Sequence, residues 1–140
     1  MTKAMVLSAA ILIILVQTVN SALTKGFTMH IINALQNDDV PLSVHCESKD
    51  DDLGIKYPKV GDDFHFSFRG DVFAKTRFYC HYSWGSKKQF FDVFSRDISR
   101  GCGRINGNNY ECFWKVQDDG FYFAGHNSPE SYSKKFDWNV

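Results

Sequence analysis

Three histidines on predicted strands are the first candidates for chemistry. His45, His65 and His81 each follow a residue on the buried side of a strand, so all three should face solvent. A secreted ribonuclease would combine such a histidine with a carboxylate base and a phosphate-binding arginine. The candidates for those two roles are Glu47, Arg69 and Arg77. Solvent-facing histidines are ordinary on strands, and no nucleophile motif or metal-ligand spacing accompanies them, so we predict no catalytic residues and no enzyme activity.

A run of carboxylates, Asp50, Asp51 and Asp52, is the second candidate. Clustered carboxylates are typical Ca²⁺ ligands, but this run lacks the alternating ligand spacing of an EF-hand loop. Asp side chains in turns commonly cap backbone N–H groups instead. We therefore predict a polar loop over residues 48–54, with no metal ion and no cofactor.

A second acidic pair, Asp118 and Asp119, precedes Gly120. Asp-Gly is typical of a tight hairpin turn, so these carboxylates are expected between two strands. Loops on a rigid sandwich expose the residues that bind partners. The candidate recognition residues are therefore the carboxylates of the two loops: Asp50, Asp51, Asp52, Asp118 and Asp119.

The four cysteines are Cys46, Cys80, Cys102 and Cys112. An even number behind a secretory leader predicts two disulfides, and the spacing disfavours a zinc site. Cys46 and Cys112 each occupy the centre of a buried row, which favours a Cys46–Cys112 bridge across the sandwich. Cys102, on a Gly-flanked loop, would then reach Cys80. The alternative pairing, Cys46–Cys80 with Cys102–Cys112, stays open.

The chain of 140 residues opens with a secretory signal. Lys3 precedes an apolar run over residues 4–16 that is short for a membrane span, and residues 19–21 resemble a cleavage site. We predict a signal peptide over residues 1–21 and one secreted domain over residues 22–140, without stable membrane insertion after cleavage. Sixteen basic residues balance sixteen acidic ones, which argues against nucleic-acid binding.

Short strands with one buried face must position these residues. Apolar residues alternate with polar ones in several stretches, and the two clearest buried rows are Phe64, Phe66 and Phe68, and Phe78, Cys80, Tyr82 and Trp84. Gly70-Asp71 is predicted as the turn between them, and residues 97–109 as a loop. About seven or eight such strands predict an all-β fold, a small antiparallel β-sandwich with two disulfides.

Three segments carry a family resemblance: VHCESKDDDLG (residues 44–54), FSFRGDVFAKTRFYCHYSW (residues 66–84) and CFWKVQDDGFYF (residues 112–123). Together they resemble the plant self-incompatibility S-protein family over nearly the whole mature chain. The resemblance implies a small secreted β-sandwich. Founding members of that family act as stigma ligands that a pollen receptor recognises, and this recognition triggers rejection of self pollen.

On this resemblance we predict a secreted, non-enzymatic ligand that engages a cell-surface receptor through its loops. It would act in pollen rejection or in another reproductive or developmental signal. The alternatives are a secreted small hydrolase such as a ribonuclease, and an extracellular inhibitor or toxin-like effector. We expect a monomer that binds no nucleic acid.

Overall fold

Two β-sheets pack face to face in the computed structural model, which describes residues 24–71 and 75–140. The predicted signal peptide, residues 1–21, lies outside the described residues. The strands of the described part are β1 Thr24–Asn33, β2 Leu42–Glu47, β3 Asp52–Lys56, β4 Asp63–Asp71, β5 Phe78–Trp84, β6 Lys87–Phe94, β7 Gly103–Asn106, β8 Asn109–Gln117, β9 Gly120–Ala124 and β10 Ser133–Phe136. A short helix, α1, spans Arg96–Ser99, and a 3₁₀ turn spans Pro129–Ser131. No helix in these two ranges is long and apolar enough to cross a membrane.

The larger sheet has six strands in the order β10-β9-β8-β1-β4, with β7 beside β9 along the same edge of β8. The smaller sheet has the order β3-β2-β5-β6. The predicted all-β sandwich is confirmed, with one exception to its antiparallel pairing, because β1 and β8 run parallel. A parallel pair needs a long crossover. The chain supplies one, since it builds the whole smaller sheet between β1 and β8.

The core lies between the sheets and is rich in aromatic rings, as the alternating rows predict. Its largest fully buried side chains include Trp114, Tyr82, Phe121, Met29 and Ile31. The Trp114 indole N–H donates to the backbone oxygen of Val93 at 3.0 Å, so the polar atom of that ring is satisfied inside the core. Burial of these rings supplies the main stabilisation of the sandwich, and it leaves the outward residues free to carry function.

The predicted turn at Gly70-Asp71 is wrong. Both residues continue β4, where Gly70 pairs with Lys25 and Asp71 pairs with Thr24. A Cβ atom at Gly70 would lie 3.0 Å from the ring of Phe27. The glycine therefore marks a close approach of backbone to a core ring within a strand, which sequence alone does not distinguish from a turn.

Regular structure also occupies parts of the two predicted loops. β3 begins at Asp52, inside the predicted loop of residues 48–54. Residues 97–109 contain most of α1 and all of β7. Ser95 caps α1, because its hydroxyl accepts a bond from the Ile98 N–H at 3.4 Å. These elements are short and largely exposed, so they lack the buried rows that identify the longer strands.

The two disulfides form as predicted, but the favoured pairing is wrong. Cys46 bonds to Cys80 and Cys102 bonds to Cys112, which is the alternative that the sequence left open. Cys46 and Cys80 lie directly opposite each other on the adjacent strands β2 and β5, with Cα atoms 4.0 Å apart. The buried cysteines of this pair therefore meet within one sheet and not across the sandwich.

Candidate functional site

The outer face of the smaller sheet carries a cluster of His45, Glu47 and Asp52, which we call the His45 centre. His45 and Glu47 lie two residues apart on β2, so they share a face, and Asp52 opens the neighbouring strand β3. The Nε2 atom of His45 lies 2.6 Å from Oδ1 of Asp52 and 3.1 Å from Oε1 of Glu47. Both carboxylates thus converge on a single ring nitrogen.

Asp52 is held in place from two sides. Its Oδ1 atom also accepts the Gly54 N–H at 2.9 Å, and Gly54, within β3, has a φ of 76°, a backbone conformation that favours glycine. The Gly54 N–H, and after it the His45 side chain, lower the pKa of the Asp52 carboxyl below its usual value. Asp52, predicted with Asp50 and Asp51 as a loop recognition residue, is therefore a fixed, negatively charged member of this cluster at the start of β3.

A second cluster of the same residue types lies on the outer face of the larger sheet. We call it the His30 centre, and it comprises His30, Asp63, His65 and Glu111. The Nδ1 atom of His30 lies 2.7 Å from Oδ2 of Asp63, while its Nε2 atom lies 3.3 Å from Oε2 of Glu111 without hydrogen-bond geometry. The His30 ring stacks on Phe113 with centroids 4.4 Å apart. The ring therefore links β4, β1 and β8.

The histidines proposed for a ribonuclease do not form one site. His45 and His81 are opposite each other on β2 and β5, with ring centroids 6.2 Å apart. His65 lies on β4 in the other sheet, beside His30. Arg77 is engaged by Asp92 in an ion pair of 2.7 Å. The three predicted histidines are thus divided between opposite faces of the sandwich.

A cleft of about 780 Å³ lies at one end of the sandwich, and we call it the end cleft. Its walls are residues 48–51, before β3, and residues 75–79, at the start of β5, and Phe68 and Arg69 of β4 also line it. Asp50 and Asp51 bring negative charge, and the basic side chains of the cleft are Lys49, Arg69, Lys75 and Arg77. The cleft is therefore a mixed-charge surface with aromatic side chains in its walls.

The loop that presents Asp50 and Asp51 is internally bonded. The Ser48 hydroxyl accepts the Asp51 N–H at 3.1 Å, and the Ser48 N–H donates to the Asp51 backbone oxygen at 2.8 Å. Both carboxylates are exposed, and neither forms an ion pair within the described ranges. Neither belongs to a group of side chains there that could jointly hold a metal ion. The backbone is thus fixed while the charges remain available.

Asp118 and Asp119 occupy the two-residue turn between β8 and β9, as predicted. Asp118 accepts the Gln36 N–H at 3.1 Å, and Asp119 accepts the Tyr122 hydroxyl at 2.6 Å, which raises the pKa of that phenol. Gln36 follows β1, whereas the end cleft adjoins the start of β1. The two acidic loops are therefore at opposite ends of the sandwich, roughly 30 Å apart along the strand.

The prediction of site residues missed His30, Asp63 and Glu111. His30 alternates with the buried residues Met29 and Ile31, so its outward direction is visible in the sequence. Its partners Asp63 and Glu111 cannot be predicted from the sequence, because they depend on which strands flank β1. The sequence predicts only part of the His45 centre. Alternation places His45 and Glu47 on one strand face, whereas the approach of Asp52 depends on how β3 pairs with β2.

Comparisons with known proteins agree with this architecture. The family model for plant self-incompatibility protein S1 matches residues 28–138. S-protein homolog 3 of Arabidopsis thaliana is 32% identical over 111 residues, which cover 79% of this chain and 71% of the homologue. Self-incompatibility protein S1 of Papaver rhoeas is 40% identical over 82 residues, which cover 58% of this chain and 56% of the poppy protein. The matched region is therefore less than two thirds of that poppy protein.

A solved structure with the same fold gives a TM-score of 0.60 at 20% identity, covering 83% of this chain and 96% of that one. It represents SPH (self-incompatibility protein homologue) proteins, described as a widespread family of small, highly stable, secreted proteins from plants. Secretion of that family agrees with the signal peptide predicted from the sequence. The resemblance seen in the sequence is confirmed, and the chain belongs to the plant self-incompatibility protein S1 family.

Proposed function

We propose that this protein is a secreted plant signalling ligand that binds a cell-surface receptor through the end cleft. The observation that carries the proposal is the availability of Asp50 and Asp51 on a loop that Ser48 holds rigid. A binding surface gains affinity when its groups are positioned before the partner arrives, because less conformational entropy is lost. The family supports a signalling role, in pollen rejection or in another reproductive or developmental process.

Charge is the expected basis of recognition at this surface. The cleft has two exposed carboxylates beside basic side chains. It therefore favours a partner that places basic groups against the carboxylates and acidic groups against the basic side chains. Tyr79 in the wall of the cleft supplies an aromatic contact of the kind enriched at interfaces. Asp118 and Asp119 are proposed as a secondary contact only, because both carboxylates already serve bonds within the chain.

The test is binding of the mature protein to plant membrane fractions from reproductive tissue. Asp50→Asn/Asp51→Asn should weaken saturable binding about 10-fold, or about 1.4 kcal/mol, because the proposal places both carboxylates among the few interface residues that carry most of the binding energy. The matched control is Asp39→Asn/Glu130→Gln, which removes two exposed carboxylates outside the cleft. Equal binding by wild type and the cleft variant would refute the proposal.

The hydrolase alternative has its own discriminating result. His45, Glu47 and His81 share the outer face of the smaller sheet, but neither predicted arginine is free to bind phosphate beside them. Arg77 is paired with Asp92, and Arg69 lies on β4 of the other sheet, so we propose that the protein is not an enzyme. RNA or glycan hydrolysis that His81→Ala abolishes in an otherwise folded protein would overturn that proposal. Tight binding to a soluble enzyme, with no saturable membrane binding, would support an inhibitor instead.

A further inference from the structure

The His45 centre carries more negative charge than its own groups neutralise. Glu47 and Asp52 both approach the Nε2 atom of His45, which carries at most one proton. Neither carboxylate has a Lys or Arg ion-pair partner in the described part of the chain. Two anionic side chains and one shared proton leave negative charge uncompensated, and a cation at the same point would relieve it.

The donor atoms are already gathered. One nitrogen of His45 and one oxygen each of Glu47 and Asp52 all lie within 4.8 Å of one another, so small side-chain rotations would bring them around one ion. From these contacts we infer that the His45 centre binds one divalent transition-metal ion, Zn²⁺ in the first instance. This inference does not depend on the receptor proposal.

Rigid backbone supports the three ligands. His45 and Glu47 flank Cys46, whose disulfide to Cys80 joins β2 to β5 behind the site. Asp52 is fixed by the Gly54 N–H. Ligands on constrained strands lose little entropy on coordination, as a preorganised metal site requires. The side chain of His45 is 27% exposed, so an ion can reach the site from solvent.

The donor set selects the class of ion. Imidazole nitrogen and carboxylate oxygen are both zinc ligands, and a site with three protein ligands keeps a fourth position open for water. Ca²⁺ and Mg²⁺ prefer all-oxygen ligands, so neither should compete well for a nitrogen-containing site. The two carboxylates also balance the charge of a divalent ion when the imidazole is neutral.

The His30 centre offers similar atoms, but its two carboxylates do not converge on one nitrogen. The two nitrogens of His30 face carboxylates on opposite sides of the ring, and the ring is fixed against Phe113. A metal ion there would have to break the His30–Asp63 contact and shift a ring that is packed against Phe113, whereas both carboxylates of the His45 centre already face one nitrogen. This centre therefore serves as the internal control, although its His30, Asp63 and His65 donors also lie within 4.8 Å of one another.

The experiment is calorimetric titration of the mature, disulfide-intact protein with Zn²⁺, followed by Ca²⁺ competition. We expect one site per chain that Ca²⁺ does not displace. His45→Gln and Glu47→Gln should each weaken it by about 10- to 100-fold or more, since even outer-sphere changes at metal sites cost that much. His65→Gln, the matched control on the other sheet, should leave the affinity unchanged.

A measurement on the wild-type protein locates the metal site without relying on variants that fail to fold. Paramagnetic Co²⁺ should broaden nuclear magnetic resonance signals of residues 45–54 and leave those near His30 unaffected. Broadening centred on His30, unchanged affinity in His45→Gln, or only weak binding shared by every variant would overturn the inference.

Discussion

The two outer faces of the sandwich carry the same chemical groups in opposite arrangements. In the His30 centre, carboxylates lie on both sides of one ring, and the ring is 15% exposed and stacked on Phe113. In the His45 centre, both carboxylates lie at one nitrogen of a more exposed ring. Contacts in both centres link strands, but only in the His45 centre do two carboxylates converge on one nitrogen, which is the arrangement that we propose binds a cation. Residue composition alone therefore does not separate a structural cluster from a binding cluster.

The same contrast applies to the acidic loops. The carboxylates of Asp118 and Asp119 accept hydrogen bonds from Gln36 and Tyr122, so they stabilise the hairpin to which they belong. The carboxylates of Asp50 and Asp51 are exposed to solvent, because backbone bonds and the Ser48 hydroxyl hold the loop without them. In both comparisons the region whose charges are satisfied internally is structural, and the other region is the better candidate for function.

The largest expected effect concerns the disulfides behind the two centres. Cys46–Cys80 closes 34 residues behind the His45 centre, and Cys102–Cys112 closes 10 residues beside Glu111 of the His30 centre. By the chain-entropy model, replacing the first pair by alanine should cost about 4 kcal/mol of unfolding free energy and replacing the second about 3 kcal/mol. Guanidinium unfolding of the two double variants measures both values. A greater loss from the shorter loop would contradict this ranking.

The next prediction compares the two histidines directly. His30→Ala should lower the free energy of unfolding by about 1–2 kcal/mol, because it removes a buried stack and leaves two carboxylates without their partner. His45→Ala should cost less than about 1 kcal/mol in metal-free buffer, since its contacts are partly exposed. Urea unfolding with a chelator present measures both. Equal losses would show that the two centres do not differ in structural role.

Much of the fold follows from the sequence because side-chain alternation has a direct physical cause. The bounds of β2 and β5 follow from alternating rows that place Val44, Cys46, Cys80 and Tyr82 inside. Strand neighbours do not follow, because alternation states which face is buried and not which strand lies alongside. The disulfide pairing failed for this reason: Cys46 meets Cys80 only because β2 and β5 are adjacent.

The candidate site was less predictable than the fold. The outward direction of His45, Glu47 and His81 follows from alternation, but the contribution of Asp52 depends on β3, which is short and exposed. Phe94 shows the related difficulty with irregular strands. An irregularity in the β5–β6 pairing near Phe78 accompanies burial of Phe91, Val93 and Phe94 together, so simple alternation fails at that end of β6.

A smaller effect on stability is expected from two phenylalanines that stack on outward-facing histidines, Phe113 on His30 and Phe90 on His81. Phe113 is buried beneath His30, whereas Phe90, which stacks on His81 at 4.3 Å beside the His45 centre, is 48% exposed. Phe113→Leu should cost about 1 kcal/mol, through lost stacking and imperfect repacking. Phe90→Leu should stay within about 0.5 kcal/mol of the wild type. Thermal unfolding of the pair checks this, and a larger loss at Phe90 would count against the division of roles.

The smallest effect tests the electrostatics of the His30 face through Tyr132. Burial, and after it the charge of Asp63, raise the pKa of this phenol to about 12. Its hydroxyl donates to Asn127 at 2.7 Å, and the ammonium group of Lys115 lies 4.3 Å from the ring centroid. Since the unfolded phenol has a pKa of about 10, the folded state favours the neutral form. The contribution of Tyr132 to stability is therefore complete below that pH and is lost as the pH rises through about 12.

Alkaline titration by phenolate absorbance, with Tyr132→Phe to assign the signal, measures this pKa. Asp63→Asn should lower it slightly, because a neutral amide no longer repels the phenolate. Asp52→Asn, on the opposite face, should leave it unchanged, since charges separated by more than a Debye length are largely screened. A shift of Tyr132 in the Asp52 variant and none in the Asp63 variant would mean that the two faces are not electrostatically separate, and the distinction between the His30 and His45 centres would lose its basis.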